Sequence, residues 1–136
     1  MRKIALDIGD VRIGIATSDP MGIIASGYST FQRTGDYEKD LRFLVDTARQ
    51  NNCDTIVLGL PVNMDGTEGE RARITRQFGE DLKTLTDVKI VYQDERWTTV
   101  SAEKALIESG MRREKRKNVV DKVAATIILQ SYLNRF

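Results

Sequence analysis

The chain has 136 residues, of which 40% are hydrophobic, and this size predicts a single domain, residues 1–136, with one core. Lys and Arg total 21 against 20 for Asp and Glu, so the overall charge does not indicate a partner. The chain has no histidine and one cysteine, which excludes imidazole catalysis and a disulfide within the chain. Carboxylates that hold Mg²⁺ or Mn²⁺ suit the side chains that remain.

No apolar run approaches the roughly 20 residues of a membrane span. The first residues, MRKIALDIG, have only a short apolar stretch before an acid, unlike a leader sequence. We therefore expect a soluble cytoplasmic protein with no membrane partner.

Changes of hydrophobic period along the chain predict alternating strands and helices. Only Gly9-Asp10 separates the first two strands, which predicts an antiparallel hairpin. From residue 36 apolar side chains recur at helical spacing, whereas TIVLGL is a continuous apolar run typical of a buried strand. Strands are predicted at 3–8, 12–18, 25–32, 55–60 and 88–92, and helices at 36–48, 70–86, 99–109 and 118–133.

The resulting order, β-β-β-α-β-α-β-α-α, predicts an α/β fold in which helices cover both faces of a mixed β-sheet. The first, fourth and fifth strands are expected to be parallel and joined by right-handed crossovers. Ligand sites in such sheets lie beyond the carboxyl ends of the parallel strands.

Acidic residues are predicted to meet at that edge. Asp7 closes the first strand, and Glu95 follows the fifth together with Asp94. Asp121 is predicted in the first turn of the last helix, on the stripe that faces the sheet. Each acid alone has an ordinary explanation as a turn acid, a cap or a complement to the helix dipole. Together they would be costly to bury without a divalent cation, which favours a metal site.

Basic residues cluster near the same edge, at the start of the second helix and in MRREKRK, residues 111–117. Alone they are typical of a solvated surface, but their position beside the acids favours phosphate binding. The loop PVNMDGTEG, residues 61–69, either donates N–H groups to phosphate or is a simple connection. The residues predicted to bind nucleic acid are Arg12, Arg71, Arg73, Arg96, Arg112, Arg113, Lys115, Arg116 and Lys117.

Four segments carry a family resemblance: DIGDVRIGIATSD, GLPVNMDGTEGERA, DERWTT and VVDKVAATIILQSYL. In this order they resemble the YqgF family of bacterial ribonuclease H-like proteins, also called RuvX. The resemblance implies a ribonuclease H-like fold and a cytoplasmic nuclease that depends on divalent metal and matures the 5′ end of pre-16S rRNA. It implies that Asp7, Glu95 and Asp121 are the catalytic acids and the ligands of two Mg²⁺ or Mn²⁺ ions. Trp97 stands where the family pattern has a smaller aliphatic residue.

Other functions stay open at this point. The same family resemblance carries an older proposal of Holliday junction cleavage, which would need two active sites and hence a homodimer, whereas trimming an RNA end needs only a monomer. A nucleic-acid-binding factor for ribosome assembly with weak catalysis is a further alternative. The hairpin after Asp7 also resembles the phosphate-binding strand of actin-like and sugar-kinase ATPases, but those enzymes need two such domains.

Overall fold

The computed structural model describes residues 1–95 and 113–135, and from 113 to 120 it describes the backbone only. The predicted helix at 99–109 lies outside the described residues. The strands are β1 (Arg2–Ile8), β2 (Arg12–Ser18), β3 (Ala25–Gln32), β4 (Cys53–Leu60) and β5 (Lys89–Asp94), and the helices are α1 (Tyr37–Gln50), α2 (Glu70–Lys83) and α3 (Arg113–Leu133).

The five strands form one mixed sheet in the order β3-β2-β1-β4-β5. β2 runs antiparallel to both β1 and β3, whereas β4 is parallel to β1 and β5 is parallel to β4. The predicted hairpin and the predicted parallel strands are therefore confirmed. The parallel pairs are connected through α1 and α2, as crossover connections require.

The sheet divides the core into two layers. Ile4 and Leu6 of β1 point to the side covered by α1 and α2, whereas Ala5 between them points to the side covered by α3. This alternation confirms the prediction of helices on both faces. It also places the side chain of Asp7, two residues after Ala5, on the α3 side.

The buried side of α2 differs from the predicted one at its start. Helical spacing in the sequence puts Ile74 on one side with Phe78 and Leu82, but Ile74 is 52% exposed while Phe78 and Leu82 are buried. Ala72 and Thr75 take the inward positions in the first turns instead. The small residues let the start of α2 lie close to the sheet, so apolar spacing alone misplaced this face.

Helix α3 is already formed at Arg113, ahead of its predicted start at residue 118. The basic residues before 118 are good helix formers, so nothing in them ends a helix. Asp121 therefore lies about two turns inside the helix and not in its first turn. The predicted inward stripe is confirmed, because Ala125, Ile128 and Tyr132 are buried. Among the described helices, none is long and apolar enough to cross a lipid bilayer.

Candidate active site

The close packing of α3 on β2 brings Asp121 to the end of β1. Asp7 of β1 is paired with Gly14 of β2. A Cβ atom on Gly14 would overlap the backbone carbonyl of Asp121, so the helix lies directly against this strand. A glycine inside a strand allows this approach. Asp7 and Asp121 are thus brought to the same point from segments more than 100 residues apart.

Glu95 reaches the same place from the opposite side. It directly follows β5, and its backbone N–H donates to the Leu60 carbonyl at 3.1 Å. A Cβ atom on Gly59 would lie 2.7 Å from Glu95 Oε2 and would also overlap Ile128, so the carboxyl lies in the space that Gly59 leaves free. Glycines on the strands flanking β1 therefore make room for both partners of Asp7.

The environment of Asp7 favours its protonated form. Burial raises the pKa of Asp7 from its ordinary value of 3.8 to about 6, and the negative charge of Asp121 adds to the rise. A hydrogen bond from Glu95 and the charge of Arg71 oppose it. The groups that act on Asp7 thus come from α3, from α2 and from the residue that follows β5.

Glu95 is perturbed more strongly. Burial raises its pKa from 4.5 to about 8, and the charge of Asp7 and the hydrogen bond to Asp7 add to this. The Arg71 charge lowers the pKa of Glu95, whereas that of Asp94 raises it slightly. Two adjacent buried carboxyls resist ionising together, which a cation between them would reverse.

The carboxylate oxygens of Asp7, Glu95 and Asp121 are ligands of the kind that hard divalent cations prefer. Glu95 Oε2 is buried and finds no hydrogen-bond partner within residues 1–95 and 113–135. Asp121 Oδ2 accepts from Arg12 Nε at 3.1 Å, so an internal positive charge already neutralises the third acid. As they stand, no three acidic side chains of the described part lie close enough to enclose an ion. Binding would therefore have to draw Asp121 toward Asp7 and Glu95.

Two other acids lie outside this group. Asp94 ends β5 with an exposed side chain and contributes to the site through its charge on Glu95. Asp19 accepts from the backbone N–H groups of Ile23 and Ile24 at 2.7 and 2.8 Å. Asp19 is thus a turn-forming acid at the far end of the hairpin, which agrees with its sequence context before Pro20.

The predicted basic residues separate into four groups. Arg12 contacts Asp121, and Arg71 contacts Asp10 with its charge felt at both Asp7 and Glu95. Arg73 is exposed on α2. Arg113, Lys115, Arg116 and Lys117 lie in the first turns of α3, where only the backbone is described, and Arg96, Trp97 and Arg112 lie outside the described residues.

Arg76, the third arginine of the second helix, is committed to a structural contact. Its guanidinium donates from Nε and Nη2 to the two carboxylate oxygens of Glu68 at 2.6 and 2.7 Å. The same group lies 5.0 Å from the centre of the Tyr92 ring. Arg71 is therefore the arginine of this helix that the structure brings to the acids.

The loop at 61–69 uses its backbone donors internally. The N–H groups of Asn63, Gly66 and Thr67 donate to Thr67 O, Asn63 O and Asp65 Oδ1. Gly66 has a φ of 90°, which the turn requires. These three donors are occupied within the loop, and this favours the alternative of a structured connection over a phosphate cradle.

Sequence reasoning missed Arg33, which fixes the turn after β1. Its Nη1 donates to the Gly9 carbonyl and its backbone N–H donates to the Val11 carbonyl, both at 2.9 Å. Its Nε lies 3.6 Å from Oδ2 of the buried Asp40 on α1. One arginine and one buried acid give no periodic pattern. The glycines Gly14 and Gly59 did give a signal, since a glycine within a strand indicates close approach of another segment.

Comparisons with known proteins agree with this architecture. A model of the family described as "RuvX: Holliday junction resolvase" matches residues 1–135. A Clostridium botulinum protein named "Putative pre-16S rRNA nuclease" is 44% identical over 135 residues, covering 99% of this chain and 98% of that protein. A Clostridium acetobutylicum protein of the same name is 46% identical, covering 98% of each.

Two solved structures show the fold. RuvC from T. thermophilus in complex with a Holliday junction substrate has a TM-score of 0.57 and 8% identity, and the match covers 99% of this chain and 95% of that one. The human cytomegalovirus terminase nuclease domain has a TM-score of 0.52 and 12% identity, covering 96% and 81%. The predicted ribonuclease H-like α/β fold is confirmed.

Proposed function

This chain belongs to the RuvX family and is a nuclease, a hydrolase acting on nucleic acid, and we propose that it cleaves phosphodiester bonds at the edge where Asp7, Glu95 and Asp121 meet. In this proposal residues 1–136 form one nuclease domain. The proposed cofactor is Mg²⁺ or Mn²⁺, with two ions held by these three acids. Family membership argues against the two-domain ATPase alternative.

The observation that supports this proposal is the contact between the half-buried side chains of Asp7 and Glu95, in which the buried Glu95 Oε2 has no described partner. A buried acceptor without a partner costs about 1–3 kcal/mol, and more when the group is charged. The fold keeps this arrangement at the edge where open α/β sheets bind ligands. A structural role does not require the two carboxyls to share this position.

The side chains have distinct tasks in the proposed reaction. Divalent cations bound by the acids would supply Lewis acidity that activates water and offsets charge on the reacting phosphodiester. Asp7, between the other two acids, would orient that site, while Arg12 holds Asp121 near it. Arg71 would bind the phosphate beside Asp7 and Glu95, because a guanidinium matches the geometry of phosphate oxygens.

The finer assignments are proposals as well. Structured RNA is the proposed substrate, and a role in pre-16S rRNA maturation, with contact to the ribosome in the cytoplasm, is inferred from the names of the relatives. Arg73, Arg96 and Arg112 would extend the nucleic-acid surface, together with the α3 residues Arg113, Lys115, Arg116 and Lys117. One copy suffices to trim an RNA end.

A cleavage panel tests the proposal. Precursor rRNA fragments, single-stranded RNA and four-way DNA junctions are incubated with the protein in Mg²⁺, in Mn²⁺ and in EDTA. We expect metal-dependent cleavage that Asp7→Asn lowers by at least about 10³-fold, with smaller or equal losses for Glu95→Gln and Asp121→Asn. Asp46→Asn, on the exposed side of α1, is the matched control and should leave cleavage unchanged. An Asp7→Asn variant as active as the parent would contradict the assignment.

Holliday junction cleavage is the second candidate, because the family description names it. Symmetric cutting of a junction needs two active sites, so it predicts a homodimer. Products from the junction alone, with a dimer by analytical ultracentrifugation, would favour this function. Binding of all substrates without cleavage in any metal would favour the assembly-factor alternative.

A further inference from the structure

An exposed ion pair between Asp10 and Arg71 lies beside the acidic edge. Asp10 lies in the turn between β1 and β2, three residues after Asp7, and Arg71 lies in the first turn of α2. Arg71 Nη1 donates to Asp10 Oδ1 and Oδ2, each at 3.2 Å. The two side chains are 56% and 79% exposed. The pair therefore connects the turn after the first catalytic strand to the start of the neighbouring helix.

Arg71 is also close to the acids themselves. Its positive charge lowers the pKa of both Asp7 and Glu95, while Arg12 takes the equivalent place beside Asp121. A phosphate that approached Asp7 and Glu95 would thus come under the influence of the Arg71 charge. In the free protein that arginine is bound by a carboxylate.

We propose that Asp10 is an internal substitute for a substrate phosphate, which occupies Arg71 until a nucleic-acid phosphate displaces it. This inference rests on the proposed function, since the displacing group is a phosphodiester of the substrate. Carboxylate and phosphate bind a guanidinium in the same way, through charge-assisted hydrogen bonds. Asp10 thereby lowers the affinity of the site for weakly bound anions.

The geometry of the pair makes the exchange easy. Both contacts come from a single nitrogen, not from the two-nitrogen fork that gives the strongest guanidinium pairs. Exposed ion pairs of this kind contribute little to stability, because water screens both charges. The neighbouring Arg76 differs, because it binds Glu68 through two nitrogens and lies over an aromatic ring. Arg76 is therefore fixed, whereas Arg71 can change partner.

Binding without metal tests the proposal independently of catalysis. A fluorescein-labelled RNA hairpin with a single-stranded tail is titrated in EDTA, and its Kd is measured by anisotropy at several salt concentrations. Asp10→Asn and Asp10→Ser should each lower Kd about three- to tenfold, because the competing carboxylate is gone. Arg71→Gln should raise Kd, and Asp10→Asn should bring no gain in the Arg71→Gln background.

Glu70→Gln is the matched control, since it removes an exposed acid that precedes Arg71 in the chain and lies outside the Asp10–Arg71 ion pair. If Glu70→Gln lowers Kd as much as Asp10→Asn, net charge explains the gain and the proposal is overturned. A gain that persists without Arg71 overturns it too, as does a parent that binds no nucleic acid. Parent RNA binding with the expected Asp10 effect but no cleavage in any metal would reject the nuclease proposal and keep this one.

Discussion

The two faces of the sheet use side chains of very different size. Toward α1 and α2, the central strands present large aliphatic residues such as Ile4, Leu6 and Leu58, which are fully buried. Toward α3, the same strands present Ala5, Ala16 and Val57, with glycines near the carboxyl edge. One face gains stability from buried apolar area, and the other allows a helix to lie close to the strands.

The acids lie on the α3 face, where the strands carry the smaller side chains. Asp7 shares the α3 side with Ala5, and Gly14 and Gly59 flank it on the neighbouring strands. Large side chains at those positions would keep Asp121 and Glu95 away from Asp7. The α3 face therefore buries less apolar area, and its small residues let the acids come together. Substitutions that add a side chain at its glycines should damage the site more than substitutions of the same size elsewhere.

The largest effect on stability is expected from Gly14→Ala. The added methyl would overlap the Asp121 backbone, which cannot turn aside as a side chain can. We expect a loss of about 3 kcal/mol in the free energy of unfolding, measured by urea titration. Cleavage per folded molecule should fall at least about 100-fold, because small displacements of reacting groups are costly.

Gly27→Ala is the matched control for this variant. Gly27 lies on β3 under the same helix, but its added methyl would lie 2.8 Å from Cγ of the Lys122 side chain. A flexible side chain can move aside, so stability should change by less than about 1 kcal/mol. Equal losses in the two variants would show that α3 does not depend on the contact at Asp121.

The second effect is a pH dependence of stability that comes, among the described groups, from Asp7 and Glu95. In the unfolded chain the acids ionise near 3.8 and 4.5, whereas in the folded chain Asp7 holds its proton to about pH 6 and Glu95 to about pH 8. The folded state binds more protons between these values, so metal-free stability should fall as pH rises from about 5 to 8. The slope is at most about 1.4 kcal/mol per pH unit for each acid.

Urea unfolding in EDTA at pH 5, 6, 7 and 8 measures this slope, and the absence of histidine removes the usual titration in this window. Asp7→Asn should flatten the slope, because it removes one titrating acid and the charge that raises the pKa of Glu95. Asp46→Asn on α1 should keep the parent slope. A parent whose stability is level or rises across this range would show that the two carboxyls are not buried together.

The sequence predicted the strands and the face of α3 well, because β1, β4 and α3 are long and strongly patterned. It misplaced the start of α3 and the inward side of α2, since good helix formers hide a boundary and small residues carry no hydrophobic signal. At the site it predicted which acids share an edge. It did not predict that Arg71 binds Asp10 or that Arg33 holds the turn, since ion pairs between distant segments leave no local pattern.

The smallest expected effect is a difference in stability between removing the Arg12–Asp121 pair and removing an ordinary surface ion pair. Arg12 and Asp121 are 42% and 25% exposed, whereas Arg42 and Glu38 on α1 are 62% and 68% exposed. Arg12→Gln should cost about 1 kcal/mol by urea titration, and Arg42→Gln about 0.3 kcal/mol. Added salt should reduce both losses, and proportionally less for Arg12 because its partner is better shielded.

The stability of the two variants in the presence of a divalent cation tests the role of Arg12 at the site. If Asp121 helps to hold a cation, that charge replaces the one lost in Arg12→Gln, so Mg²⁺ should restore part of its stability and none of that lost in Arg42→Gln. Equal responses of the two variants to Mg²⁺ would mean that Asp121 is only a partner of Arg12. In that case only Asp7 and Glu95 would take part in the reaction, and Asp121 would stabilise the packing of α3 on the sheet.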